Sequence, residues 1–184
     1  LGGEQFYLQS YYLITILIRK IFLPCVIIYL FLLPVVSLIL PIKQIYFGVS
    51  FIGKEVFFIT SFFLFNLLVV VNLILKNTWG RARPNDILQL GGEENFTAWH
   101  NFSQNCDTNC SFVSGDAAVG FSIVALYFIT KKKIFIWLSI FFGILFGVIR
   151  ILEGGHFFSD ILMAGFIIFI LCFFEHKLFK KYFK

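Results

Sequence analysis

Charge is what this chain has least of. Only 14% of its 184 residues are charged, where a water-soluble domain carries about a quarter. The rest is dominated by apolar side chains, at 59%, with a mean hydropathy of +0.90. So few polar groups cannot cover a soluble domain of this size, and the bilayer is the expected solvent. Internal repeats, low-complexity tracts and any stretch that reads as a soluble domain are also missing. No apolar segment carries a charge near its centre and no inverted repeat is visible, which argues against a transporter with a mid-membrane substrate path. Residues 1–20 lack a basic n-region and a small-residue cleavage site, so they do not read as a signal peptide. The first residue is Leu1 rather than Met, as expected of a fragment or a processed form.

Five apolar segments are present, at about 21–41, 56–75, 113–130, 134–152 and 157–176. Each is near the length of about 20 residues that a helix needs to cross the hydrocarbon layer. Pro24 and Pro34 fall in the first, which membrane helices tolerate. Residues 6–18 are apolar but shorter, suited to the interface or to the remnant of a further span. The long polar stretch runs from Lys76 to Ser111, and its Gly91-Gly92-Glu93-Glu94 run reads as flexible and acidic. Trp79, Trp99 and Tyr46 suit interfacial anchoring.

The formal net charge of +5 would suit a nucleic acid, but its distribution speaks for topology. Lys43 and Lys54, then Lys131, Lys132 and Lys133, then Lys177, Lys180, Lys181 and Lys184 all fall on one side of alternating spans. The positive-inside rule makes that side cytoplasmic, and no nucleic-acid partner is expected. Residues 76–111 and 150–157 share the opposite side; Arg19 and Lys20 fall there too and count against this orientation. Cys106 and Cys110 lie in the outer loop, where an oxidising compartment favours a disulfide. A structural zinc site would need more ligands than this pair. Cys25 and Cys172 lie within apolar spans and are expected to be buried.

Chemistry-bearing residues gather on that outer side. They are Lys76, Arg81 and Arg83 before Pro84, then Ser114, Gly115 and Asp116, then Arg150, His156 and Asp160. Several cations on one face make an anion site, and arginine grips phosphate through paired donors. Ser114 and Gly115 open a helix, whose free N–H groups favour an anion as well. His156 and Asp160 are four apart, so they share a helical face, and a histidine aimed at a bound phosphate is a candidate nucleophile. Each element alone has a plainer reading: a snorkelling cation, a structural His–Asp hydrogen bond, a helix cap. Their convergence on one side is what favours chemistry.

The pattern Lys76-x6-Arg83-Pro84, Ser114-Gly115 and Arg150-x5-His156-x3-Asp160 resembles the three-part signature of the type 2 phosphatidic acid phosphatase (PAP2) family. That resemblance implies an all-α, polytopic membrane helix bundle of six spans, and the five seen here fit one domain over 1–184 that lacks the first span. It implies that Lys76, Arg83, Ser114, Gly115 and Arg150 bind phosphate, that His156 forms a phosphohistidine, and that Asp160 orients it, with no metal and no cofactor. Val113 and Ile149 replace the family's Pro and Ser, and Asp116 stands in place of a histidine that assists the leaving group. Asp116 either takes that catalytic task or orders Arg81 or Lys76. The stretch Cys106 to Asp116, with Gly154 to Asp160, resembles bacterial lipid A 4′-phosphatases within the family. Its implied partners are a lipid substrate and the bilayer, in a bacterial inner membrane with the site facing the periplasm. Arg81, an extra cation, is a candidate contact for a second phosphate on the lipid.

Overall fold

The computed structural model describes residues 16–28, 36, 44–46, 49–51 and 53–182. Most of segment 6–18, the greater part of segment 21–41 with Pro34, and Lys43 and Lys184 lie outside the described residues. A π-helical stretch, Ile16–Phe22, leads into the short helix α1, Leu23–Ile27, with Pro24 in its first turn where a missing N–H is harmless. A small antiparallel hairpin follows, β1 (Gln44–Tyr46) with β2 (Val49–Phe51), pairing Ile45 with Ser50. The body is helical: α2 (Lys54–Thr78), α3 (Gly115–Phe121), α4 (Val124–Thr130), α5 (Ile134–Leu152) and α6 (Phe158–Tyr182).

Three of these, α2, α5 and α6, are long and apolar enough to cross a membrane. The expected segment 113–130 is a shorter apolar helix, Gly115–Thr130, interrupted at Ser122 and Ile123 where α3 gives way to α4. Ser114 sets its start: the residue is extended, and its hydroxyl accepts from the Ala117 N–H at 3.4 Å. The architecture is therefore the all-α membrane bundle that the sequence indicates, with the hairpin added.

The core joins Phe58, Phe62 and Phe63 of α2 to Ala117 and Ala118 of α3, Leu126 of α4, Phe146 of α5 and Ile161, Ala164 and Ile168 of α6. Phe65, Leu73, Trp137, Phe141, Phe166 and Phe173 point outward, as lipid-facing positions do. In lipid, apolar burial alone gives helices little reason to associate, so small residues and close packing matter. A Cβ on Gly120 would sit 2.5 Å from the Gly143 backbone nitrogen, and one on Gly143 would overlap the Phe121 ring. Ser139 adds a hydroxyl bond to the Phe121 carbonyl at 2.6 Å. This α3–α5 contact holds Asp116 of one helix beside Arg150 of the other. Gly143→Val should lower stability by about 1–3 kcal/mol through overpacking, read as a lower unfolding midpoint in detergent. Ile144→Val on the neighbouring outward position should leave that midpoint unchanged.

The polar stretch after α2 is ordered. Asn85 donates to the Gly154 and Glu153 carbonyls, each at 3.1 Å, which ties it to the α5–α6 turn. Gly91 takes a left-handed φ of 89°, and the N–H groups of Glu93 and Glu94 both reach the Asp86 carbonyl. The glycine-rich run is thus a hydrogen-bonded turn. Trp79 stacks on Phe112 at 4.2 Å between ring centres and donates to the Trp99 carbonyl at 2.7 Å, so it organises the loop.

Candidate active site

The turn between α5 and α6 carries His156. It is 2% exposed, and its Nδ1 lies 2.6 Å from the Ser111 carbonyl oxygen. A carbonyl only accepts, so Nδ1 carries the proton of the neutral ring and Nε2 keeps its lone pair. Asp160 Oδ2 is 4.0 Å from the same Nδ1. It receives instead the Ser111 hydroxyl at 2.6 Å and the Phe157 N–H at 2.9 Å. Asp160 therefore bears on His156 through Ser111, the residue that spacing alone did not single out.

Arg81 is the other partner of Asp160. Its Nη1 pairs with Asp160 Oδ1 and donates to Ser159 Oγ at 2.8 Å, and its Nε donates to the Thr97 carbonyl at 2.8 Å. The guanidinium lies over the Phe157 ring, 4.1 Å from its centre, and the side chain is 2% exposed. This corrects the expectation that Arg81 contacts a second phosphate or is ordered by Asp116: it is a buried tie between the loop and α6.

The remaining cations converge. Lys76, at the end of α2, lies within electrostatic range of Arg19, Arg83, Arg150 and Asp116, and His156 feels Arg150, Lys76 and Arg83. Gly115 packs against Lys76; a Cβ there would come 3.2 Å from Nζ. Arg150 is 5% exposed and pairs with Glu153, with Asp116 Oδ2 3.5 Å from its Nε. Gly155 leaves room for that guanidinium, since any Cβ would collide with Nη2. Asp116 also takes Arg19 Nε at 3.3 Å, and Arg19 Nη1 reaches Glu153 at 3.4 Å. Arg19, which counted against the orientation as a stray charge, belongs to the cluster.

Asn109 is the hinge pin of the cradle. Its carbonyl accepts from Arg83 Nη2 at 2.6 Å and Nε at 3.2 Å, and its Oδ1 from Lys76 Nζ at 3.4 Å. The backbone there is left-handed, φ 52°, and the residue sits inside the ring closed by the Cys106–Cys110 disulfide. Cys172 is buried, whereas Cys25 is exposed, a correction to its expected burial.

Electrostatics follow from this crowding. Burial first, then Arg150, Lys76 and Arg83, hold the His156 pKa well below its ordinary value, against the opposing pull of the Ser111 carbonyl. Burial first, then Arg150, also lowers Arg83. Arg19, Lys76, Arg83 and Arg150 outnumber the carboxylates near them, Asp116, Glu153 and Asp86. The arrangement can seat an anion beside an unprotonated imidazole.

Residues 55–184 match the family described as the PAP2 superfamily. A "Lipid A 4′-phosphatase" of Francisella tularensis subsp. novicida (strain U112) is 38% identical over 121 residues, covering 64% of this chain and 54% of that protein. One of the same name from Rhizobium leguminosarum is 33% identical over 99 residues, covering 52% of this chain and 42% of that protein. Another from Rhizobium etli is 34% identical over 99 residues, 52% of this chain and 38% of its own. The chain spans about half the length, or less, of these curated relatives. No solved structure matches it.

Proposed function

This chain belongs to the PAP2 superfamily, and from that premise we propose that it is a membrane lipid phosphatase that removes a phosphate monoester from lipid A or a closely related lipid. The observation that supports this most is His156, its Nδ1 fixed 2.6 Å from a backbone carbonyl while Arg150, Lys76 and Arg83 surround the ring. Lys76, Arg83 and Arg150, with Ser114 and Gly115 beneath them, bind the phosphoryl oxygens. Nε2 of His156 attacks phosphorus in line, the bond to the lipid oxygen breaks, and a phosphohistidine forms. Water then attacks that phosphorus and releases orthophosphate and the neutral ring. Positioning and charge stabilisation dominate phosphoryl transfer, so the cations supply what a metal supplies elsewhere. Asp116, ion-paired with the guanidiniums of Arg19 and Arg150, seats Arg150, and the leaving oxygen takes its proton from water. Asp160 acts by holding Ser111, and through it the ring.

With Lys131, Lys132 and Lys133 and the lysines at the end of α6 facing the cytoplasm, the site opens to the periplasm of a bacterial inner membrane. The shared name of the curated relatives is what favours lipid A over phosphatidic acid, phosphatidylglycerol phosphate or undecaprenyl pyrophosphate. The test is phosphate release by the full-length protein in detergent with EDTA, offered lipid A, phosphatidic acid and undecaprenyl pyrophosphate, beside His156→Ala. Release from lipid A that the substitution abolishes supports the proposal. Silence on all three lipids from folded protein would leave a phosphate-binding membrane protein without turnover.

The disulfide ring gives a further expectation. Opening it with dithiothreitol frees Asn109 from its place beneath Arg83 and Lys76, and a displacement on the order of 1 Å can lower rates up to about 100-fold. Reduced protein should show a raised KM, and Asn109→Gly, which keeps the left-handed backbone and the carbonyl, a milder rise of about two- to fivefold. Steady-state kinetics before and after reoxidation measure both.

A further inference from the structure

At the end of the bundle away from His156, a cavity of about 430 Å³ opens between the start of α2, the end of α4 and the end of α6. Along α6, Asp160 and His176 are separated by roughly 24 Å at 1.5 Å per residue, so this cavity is remote from the cation cluster described above. Among the described residues Lys54, Lys131 and Lys180 line it, with one carboxylate, Glu55. His176 also lines it, 8% exposed, and neither of its ring nitrogens has a hydrogen-bond partner among the described residues. The ring is wedged between Phe58 and Phe128, with centres 5.5 and 5.3 Å away. Buried polar atoms are normally paired, and these two nitrogens lie beneath the cavity wall rather than at its surface.

Lys131 is held in place as well. It closes α4 with a left-handed φ of 61°, its N–H donates to Tyr127 at 2.8 Å, and its ammonium lies 5.6 Å from the Tyr127 and Phe128 ring centres. Burial first, then the charge of Lys180, press its pKa below the usual lysine value, which places the two ammonium groups within each other's field. Two ammonium groups sharing one cavity, those of Lys131 and Lys180, make a site for an anion, and Phe179 gives the cavity an apolar wall beside them.

We propose that this cavity binds a phosphate anion, presented by the headgroup of an anionic phospholipid or as free phosphate, with Lys131, Lys180 and Lys54 as its charge partners. The proposal does not depend on catalysis at His156. An acyl chain would run along the apolar exterior of α6 while the headgroup sits among the lysines, the arrangement that basic pockets between membrane helices offer to anionic lipids.

The full-length protein in detergent would be offered phosphatidylglycerol or phosphatidylcholine and the lipids retained per chain counted by native mass spectrometry. Inorganic phosphate would be titrated separately by thermal shift. Retention of phosphatidylglycerol over phosphatidylcholine is expected, weakened roughly tenfold or more in the double variant Lys131→Gln/Lys180→Gln. It should persist in Lys76→Gln/Arg83→Gln, which disables the other cluster. A shift with inorganic phosphate that is lost in Lys131→Gln/Lys180→Gln identifies the free ion as a ligand; retention of lipid without such a shift identifies the headgroup. Equal retention by the wild type and Lys131→Gln/Lys180→Gln, both eluting as folded protein, would overturn the proposal, as would no retention by the wild type together with a phosphate shift that is absent or that survives Lys131→Gln/Lys180→Gln.

Discussion

Asp160→Asn is expected to destabilise the fold by about 3–5 kcal/mol, because removing one partner leaves the other charge buried and unpaired. Arg81 is 2% exposed and its carboxylate partner is fully buried. The same substitution disturbs the acceptor of the Ser111 hydroxyl and of the Phe157 N–H, so the ring of His156 loses its support along with the ion pair. If Asp160 served the reaction alone, Asp160→Asn would unfold at the wild-type temperature and merely turn over slowly. The double variant Arg81→Met/Asp160→Leu, which removes both charges, should regain much of the lost stability. Thermal unfolding in detergent, run beside phosphate release, separates the two accounts.

His156→Ala should lower phosphate release by at least about 1,000-fold, the scale on which losing a nucleophile acts. The pH profile carries a sharper expectation. Because burial and the neighbouring cations depress its pKa, His156 stays unprotonated as pH falls through about 6.5, the ordinary value. The acid limb of kcat/KM therefore lies well below that of an exposed histidine. Arg150→Gln removes the largest electrostatic contribution to the depression, so what activity survives should show its acid limb at higher pH. A bound phosphate dianion acts in the same direction, so the limb of kcat lies above that of kcat/KM. Stability follows the opposite logic from a salt-bridged histidine. The unfolded chain binds more protons between about pH 6.5 and the folded pKa, so the fold weakens as pH drops through that window. An acid limb at an ordinary histidine pH in both kinetic parameters would contradict this electrostatic reading.

Spans α2, α5 and α6 were legible because their apolar runs are long and almost free of charge. The end of α2 at Lys76 and the cap at Ser114 were legible from residue type. Segment 113–130 was legible as apolar, but its break at Ser122–Ile123 was not, since neither residue is a helix breaker and Gly120, two positions ahead, packs closely against Gly143. The cation set Lys76, Arg83 and Arg150 could be read because its spacing is short-range within each motif. Arg81 could not be read correctly. A count of cations near a motif does not distinguish one that faces solvent from one buried under Phe96 and Phe157. Ser111 and Asn109 hold His156 and Arg83 through backbone carbonyls, which any residue possesses, so those contacts carried little signal. Arg19 enters from a segment 64 residues ahead of Arg83, and only tertiary packing brings it to Asp116.

Arg19, Lys76, Arg83 and Arg150 repel one another when no ligand lies among them, and the nearby carboxylates relieve only part of that repulsion. An orthophosphate ion that settles there binds the folded chain and has no comparable site on the unfolded one. At 100 times its dissociation constant it adds about 2.7 kcal/mol to stability by mass action. Protein kept in phosphate buffer should therefore unfold at a higher temperature than in an uncharged buffer at equal ionic strength. The ion that inhibits turnover by occupying the site would also be the one that preserves it, so inhibition by product and resistance to heat would rise together with phosphate concentration.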